Sequence, residues 1–529
     1  MAIIIKGGTI IDGSGNEPIK GDVLIEGDKI VAVVESIGTT EGKLFDARGF
    51  VVCPGFIDIH SHTDFTLYKN PLCESKLRQG VTTEVVGNCG FSPAPVNLSY
   101  FEELVDFLTN TTYIKEDEKL FWHWKSQKEY LEFAFSKGVA VNIASLVGHG
   151  TLRISVGGAG NAPLKASQLE HLLEILEREI DLGAKGLSLG LQYEPGKFAD
   201  KKELYAIGSL LASKSALLSV HMRDEGDWVE ENVKEMIELS FKTGVNLQIS
   251  HLKAEGKNNW GKSERLIQII DVAKRKRKCS IDYDVYPYKA FGSSLMDLLP
   301  SWAKEGGFSK LFKLLNDETA SKAILKEMNT IYSGKKDWSD YRITFVAGPN
   351  KFYEGQSIEE IARMKKCTPE ESILDLIREN RGAIKMVVFG MCDSDVERLL
   401  SYKEAIIASD GRAVAPKGEL GEGKIHPRYY GTFPRVLGHY VRDRGLFTLE
   451  EAVKKMTYLP AKKVGLEKRG LLREGYFADI VVFDPTEIRD LATFQNPHVF
   501  AKGIKAVFVN GEEVLIEGEY TLKRPGRMV

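Results

Sequence analysis

Gly55-Phe56-Ile57-Asp58-Ile59-His60-Ser61-His62 is the stretch around which the 529-residue chain is organised. The apolar run from Val51 to Ile59, entered through Pro54-Gly55, reads as a buried strand. Side chains alternate faces along a strand, so His60 and His62 leave its end on the same side. Two imidazoles on one side suit a divalent transition metal. His-x-His by itself is as well explained by a surface or packed pair. What argues for a metal is the series of later strands that also end in His, Cys or Asp.

Eight strand-like runs stand in the chain: Phe56–His60, Thr82–Val86, Val139–Val147, Gly186–Leu189, Leu217–Val220, Leu247–Ser250, Ser280–Val285 and Ala405–Ser409. Amphipathic stretches such as Leu169–Leu182 and Trp228–Thr243 lie between them. That alternation predicts an α/β fold, a metal-dependent (β/α)8 barrel rather than an open doubly wound sheet. The strand ends then read His60/His62, Cys89, His149, Tyr193, His221, His251, Tyr286 and Asp410. Between the seventh and eighth runs lies a gap too long for a plain loop, and an inserted helical lid or subdomain is expected at about 290–345. Two further runs, Ile343–Ala347 and Met386–Phe389, compete for the last barrel positions. Residues 1–53 and 461–529 share a texture of short β-rich runs and turns, which predicts one small β-sandwich domain made from both chain ends, flanking a barrel over 54–460.

Composition narrows the function. Hydrophobic residues make 43% and charged residues 27%, and the net charge is −3 with no basic block. Nucleic acid and anionic membranes are therefore not expected partners. No run approaches the roughly 20 apolar residues of a membrane span, and the opening apolar residues stop too soon for a signal peptide. A cytoplasmic protein is expected. Six cysteines without repeated spacing are no disulfide framework.

His221 and His251 each close a short apolar strand. Either alone could be a capping or satisfied core histidine; with His60 and His62 they make a ligand set. Asp410 stands at the exit of a buried strand, where a carboxylate is costly unless it binds metal or exchanges a proton, or caps a helix. Cys89, in Gly87-Asn88-Cys89-Gly90, is either an inert buried thiol or a soft thiolate ligand beside glycines that permit a tight backbone path.

Taken together, these pieces resemble the amidohydrolase superfamily, and within it the N-acyl-D-amino-acid deacylase (D-aminoacylase) branch. The resemblance rests on Pro54–His62, Gln79–Thr83 with Gly87–Gly90, Val147–Gly150, Tyr193–Gly196, His221–Glu225, Ser250–Lys253, Asp284–Tyr288, Ser409–Gly411 and His426–Arg435. It implies that Cys89 replaces the carboxylated lysine of many relatives, and the fourth strand indeed offers no lysine at its exit, since Lys185 precedes it. It further implies that Cys89, His221 and His251 hold one tightly bound zinc. His60, His62 and Asp410 would form a weaker second site, with Cys89 able to bridge; one or two working metals are both open.

By the same resemblance Arg428, Lys253, Tyr193, Tyr286 and Ser293 bind the substrate, a small N-acyl-D-amino acid. The Ser293 stretch is one residue longer than the family's usual one, so Ser294 and Gly292 stand as alternatives. The loop Val414–Gly421 is also extra. Lys253 and Arg428 could instead be solvated surface groups, although a guanidinium suits bidentate carboxylate binding.

The expected reaction is hydrolysis of the N-acyl amide, with Asp410 as general base and then acid, by a monomer or homodimer. The alternatives are a D-aminopeptidase or D-dipeptidase, which would use the same metal site, and a cyclic amidase of the hydantoinase or dihydropyrimidinase kind, against which Cys89 argues. A non-catalytic scaffold should have lost ligands, and none of the six is missing.

Overall fold

Eight parallel strands make the central sheet, each within or overlapping a run expected from the sequence: Phe56–Asp58, Val81–Val86, Asn142–Gly148, Gly186–Gly190, Leu217–His221, Asn246–Ile249, Ile281–Val285 and Ile406–Ile407. The computed structural model describes residues 2–38, 41–112, 122–277, 279–305, 307–332, 334–348 and 350–529. The strands pair in chain order. The Asp410 amide donates to the His60 carbonyl and the His62 amide to the Gly411 carbonyl, both at 2.9 Å, so the last strand's exit is tied to the first's and the barrel nearly closes. Strands covered on both faces are buried throughout, as Val81–Val86 is. Helices cover the outside through stripes at helical spacing; Ala166–Asp181 buries Leu169, Leu172, Ile175 and Leu176.

The small β-sandwich comes from both chain ends and is one continuous nine-stranded sheet. Val51–Pro54 pairs antiparallel with Ile480–Phe483, joining the two halves. It has its own apolar cluster, including Ile5, Val23, Ile25, Ile480, Val482 and Phe508.

The insert differs from expectation in length and kind. Phe291–Ser294, Tyr341–Val346 and Ile384–Val388 form a separate three-stranded antiparallel sheet, so the inserted layer runs on past residue 345 and is not purely helical. The two runs that competed for barrel positions belong to this sheet. Its helices, among them Glu318–Tyr332, Ile358–Lys365 and Pro369–Glu379, share a core with it that includes Ile324, Met328, Ile343, Ile361 and Ile377.

Beneath the first and last strands lies a fully buried ionic network. The Lys76 ammonium donates to Asp58 at 2.6 Å and to the Ser409 hydroxyl at 2.9 Å, and sits 3.0 Å from Glu84. Asp58 also accepts the Ser409 amide at 2.9 Å, and Glu84 accepts Ser61 and Thr63 hydroxyls at 2.5 and 2.6 Å. The network pins the turns that carry His60, His62 and Asp410. Lys76→Met should leave two buried carboxylates without their cation and lower the unfolding free energy by about 3–5 kcal/mol, read as a lower denaturant midpoint; an unchanged midpoint would show the network to be dispensable.

Candidate active site

The first ligand pair follows the first strand, Cys89 the second, His251 the sixth and Asp410 the eighth, while His221 ends the fifth. The structure brings all six together. The His60 Nε2 lies 3.2 Å from the Cys89 sulfur and 3.6 Å from Asp410, and the His62 Nε2 lies 3.3 Å from Asp410. The Cys89 sulfur is 3.5 Å from the His251 Nε2, and the rings of His221 and His251 stand 4.6 Å apart. Ligand atoms of His60, Cys89, His251 and Asp410 fall within 4.8 Å of one another, and so do those of His221, Glu225 and His251. The first grouping cuts across the two sites expected from the sequence, with Cys89 and His251 at the seam.

Backbone geometry at these positions is uncommon. Cys89, His251 and Asp410 adopt φ of +55°, +35° and +46°. Left-handed conformations in non-glycine residues cost about 1–3 kcal/mol each and persist where the surroundings over-determine them. Around Cys89 the path is also tight: a Cβ on Gly87, at φ +80°, would stand 2.0 Å from the Leu146 carbonyl oxygen.

The electrostatics suit a cation. Burial opposes a charged Cys89, but the imidazoles of His60 and His251 overcome it and hold the thiol well below its usual pKa. Burial likewise opposes the Asp410 carboxylate, and Arg428, 2.9 Å away, with His62 holds it well below the ordinary carboxylate range. The His221 Nε2 is engaged by the Gln192 side-chain oxygen at 2.7 Å, while its buried Nδ1 has no hydrogen-bond partner among the described residues. Imidazole nitrogens, a thiolate and a carboxylate converging in a buried pocket, one nitrogen with no hydrogen-bond partner among the described residues, are a donor set that fits zinc.

Partners behind the ligands hold them in place. Glu225 meets the His251 Nδ1 at 2.9 Å and accepts from Lys253 at 2.5 Å. Asp284 accepts the His251 amide at 2.8 Å and stands 3.3 Å from the His60 Nδ1. Such carboxylates fix ring orientation and raise ligand basicity. The sequence reading missed both roles, although Glu225 closes the motif His221–Glu225, and an acid four residues after a strand-end histidine was the available signal.

A cavity of about 200 Å³ opens over the centre, lined by Cys89, Tyr193, His221, His251, Lys253, Asp410 and Arg428. The Tyr193 ring lies 4.7 Å from the His221 ring, tilted by 52° to it. Arg428 lies 4.8 Å from the Tyr286 ring, and the Tyr286 hydroxyl is buried just behind the cavity. Gly292, Ser293 and Ser294 all line it, and the Ser293 hydroxyl donates to Asp297 at 2.6 Å. Lys253 reaches the cavity but spends its ammonium on Glu225. Thr344, Lys385 and Met386 of the insert and Arg412, two residues after Asp410, also line it, and no local sequence signal pointed to them. His149 belongs elsewhere: its Nε2 lies 2.7 Å from Glu203, beside Arg153, a structural pair away from the cavity.

A ligand set of this kind at the C-terminal face of a (β/α)8 barrel is the arrangement of a metal-dependent hydrolase. Residues 43–278 and 423–515 match the Amidohydrolase family. The chain is 33% identical to a D-aminoacylase and 34% identical to an N-acyl-D-glutamate deacylase, both of Alcaligenes xylosoxydans xylosoxydans, covering all of this chain and 97% and 96% of theirs. The solved N-acyl-D-glutamate deacylase of Bordetella bronchiseptica, complexed with zinc and a phosphonate inhibitor that mimics the tetrahedral intermediate, superposes with a TM-score of 0.84 at 31% identity, over 99% of this chain and 98% of that one. The chain belongs to the amidohydrolase family, in its D-aminoacylase branch. Dihydropyrimidinase from Brevibacillus agri, at 15% identity and a TM-score of 0.56, is a likeness of fold alone. No helix among the described residues is long and apolar enough to cross a membrane.

Proposed function

We propose that this protein is a zinc-dependent N-acyl-D-amino-acid deacylase, releasing a carboxylate and a free D-amino acid from a linear amide. The observation that carries the reading is Asp410 between the histidines and Arg428, with Cys89 in place of a bridging lysine. Cys89, His221 and His251 would hold the tightly bound metal, and His60, His62 and Asp410 a weaker second one. When bound, zinc lowers the pKa of a water toward about 7 and polarises the scissile carbonyl. Asp410 accepts the proton of the attacking water and delivers it to the amide nitrogen as the C–N bond breaks. Burial, and next the Cys89 charge, keep the Tyr193 phenol well above its ordinary pKa, so it stays protonated and can donate to the carbonyl oxygen as charge gathers there. Arg428 receives the substrate carboxylate, with Lys253 and Ser293 on the same cavity wall and the Tyr286 ring backing the guanidinium.

The protein would act in the cytoplasm, where its cysteines stay reduced, as a monomer or homodimer. The deciding test is amine release by zinc-loaded enzyme from paired N-acetyl-D- and N-acetyl-L-amino acids. Turnover of D isomers alone is expected. Turnover only of D-dipeptides with a free amino terminus would move the assignment to a D-peptidase, and turnover only of cyclic ureides to a cyclic amidase. Arg428→Gln should raise KM by about 10–100-fold, the worth of a charged hydrogen bond of about 1.5–3 kcal/mol. A larger fall in kcat than rise in KM would instead assign Arg428 chiefly to Asp410.

A further inference from the structure

A second cavity, about 590 Å³, adjoins the catalytic one and shares with it Phe91, Gln192, Tyr193, Met296 and Asp297. Nothing in the reaction described above uses it. The two cavities differ in charge balance: the catalytic one sets four cations against Glu225, Glu255, Asp297 and Asp410. Lys253, Lys385, Arg412 and Arg428 all line the catalytic cavity and none of them lines the second. The carboxylate end of a substrate therefore stays with the cations. Tyr193, the donor assigned to the scissile carbonyl, stands on the shared wall, so the chain beyond that carbonyl leads into the second cavity.

Its inner wall is apolar. The Phe91 ring lies 5.1 Å from Tyr193 and 4.8 Å from Phe107, and Phe198, Met296 and Leu311 continue the surface. Its polar edge is acidic: Glu103, Asp106, Glu194, Asp297 and Glu305 face it against Lys304 alone among the described ammonium and guanidinium groups lining it. Glu194 is paired with Lys197, Glu305 accepts from Asn161 at 3.1 Å and Asp297 accepts from Ser293 at 2.6 Å.

We propose that this second cavity is an acyl subsite that takes an extended, apolar acyl group, longer than acetyl, and rejects acyl chains ending in a carboxylate. The inference rests on the deacylase reading and deepens it by naming the acyl half of the substrate. A hexanoyl or octanoyl chain would lie along Phe91, Phe107 and Met296 and lose water-exposed methylenes there. A succinyl chain would bring a carboxylate to an edge where, among the described residues, five carboxylates face the single ammonium of Lys304.

The test is a series of kcat/KM values for N-acetyl, N-hexanoyl, N-octanoyl and N-succinyl derivatives of one D-amino acid. Octanoyl should exceed acetyl by about tenfold, less than the full transfer gain of the added methylenes because part of the cavity faces solvent, and succinyl should rank last. Octanoate should also inhibit as a product more strongly than acetate, a readout independent of turnover. Ala159→Trp, which puts an indole into the cavity, should bring the octanoyl-to-acetyl ratio toward one; Phe107→Ala should lower it by removing a wall. Turnover of the acetyl substrate with a flat or falling series would overturn the acyl subsite and leave the deacylase standing. No turnover of any D derivative would overturn both.

Discussion

Asp410→Asn should lower kcat by about 10²–10⁴-fold while the tightly bound zinc remains at its wild-type stoichiometry. The amide has the shape of the carboxylate and tolerates the left-handed backbone that residue 410 adopts at φ +46°. It still offers an oxygen toward His62 and Arg428, so the pocket should persist. What it cannot do is accept a proton from water and give it back to the departing nitrogen. The loss should therefore fall on kcat rather than on zinc content. A variant that kept more than about a tenth of wild-type kcat would remove Asp410 from proton transfer, since a general base is worth far more than that.

Cys89→Ala should strip the metal itself. The sulfur lies within 3.5 Å of two imidazoles and holds the only thiolate among the grouped ligands. Its loss should weaken zinc binding by more than about 100-fold, beyond the cost of losing an outer hydrogen-bond partner. Activity should fall with metal content and return in part at high zinc. Alanine at φ +55° keeps the backbone strain that Cys89 already bears but not the metal bond that offsets it, and the resulting loss of stability could mimic a loss of metal. Cys89→Gly separates the two, because it relieves the strain without restoring a ligand. If the glycine variant binds zinc as the wild type does, the thiolate is not a ligand and the metal rests on His60, His221 and His251 alone.

The barrel was legible because its strands are buried on both faces and read as short apolar runs, each followed at once by a residue with chemistry, as Leu217–His221 shows. The same local pattern misplaces Ile343–Ala347 and Met386–Phe389, whose runs look like barrel strands. Only their direction against each other, Ile343 opposite Met386 in an antiparallel pair, sets them apart. Local hydrophobicity carries no information about strand direction. Lys385 enters the cavity through that register, opposite Ser294, and Arg412 through the loop after Asp410, so neither had a signature of its own. Asp284 and Glu225 lay in quoted motifs, yet their work depends on which ring nitrogen they face, and that is fixed only when the fifth, sixth and seventh strands lie side by side.

The seam between Val51–Pro54 and Ile480–Phe483 has a consequence for how the protein is made. The strands from Ile3 to Pro54 leave the ribosome before the barrel but cannot close their open edge until residue 483 has emerged. At about 5–20 residues per second that wait is on the order of half a minute. During it Val51–Pro54 presents a bare, wholly apolar strand edge, able to pair with the same edge of a neighbouring nascent chain. Yield in a heterologous host should therefore depend more on chaperone supply and on how many chains are being made at once than on the stability of the finished barrel, and weak induction should help more than any stabilising substitution in the catalytic core.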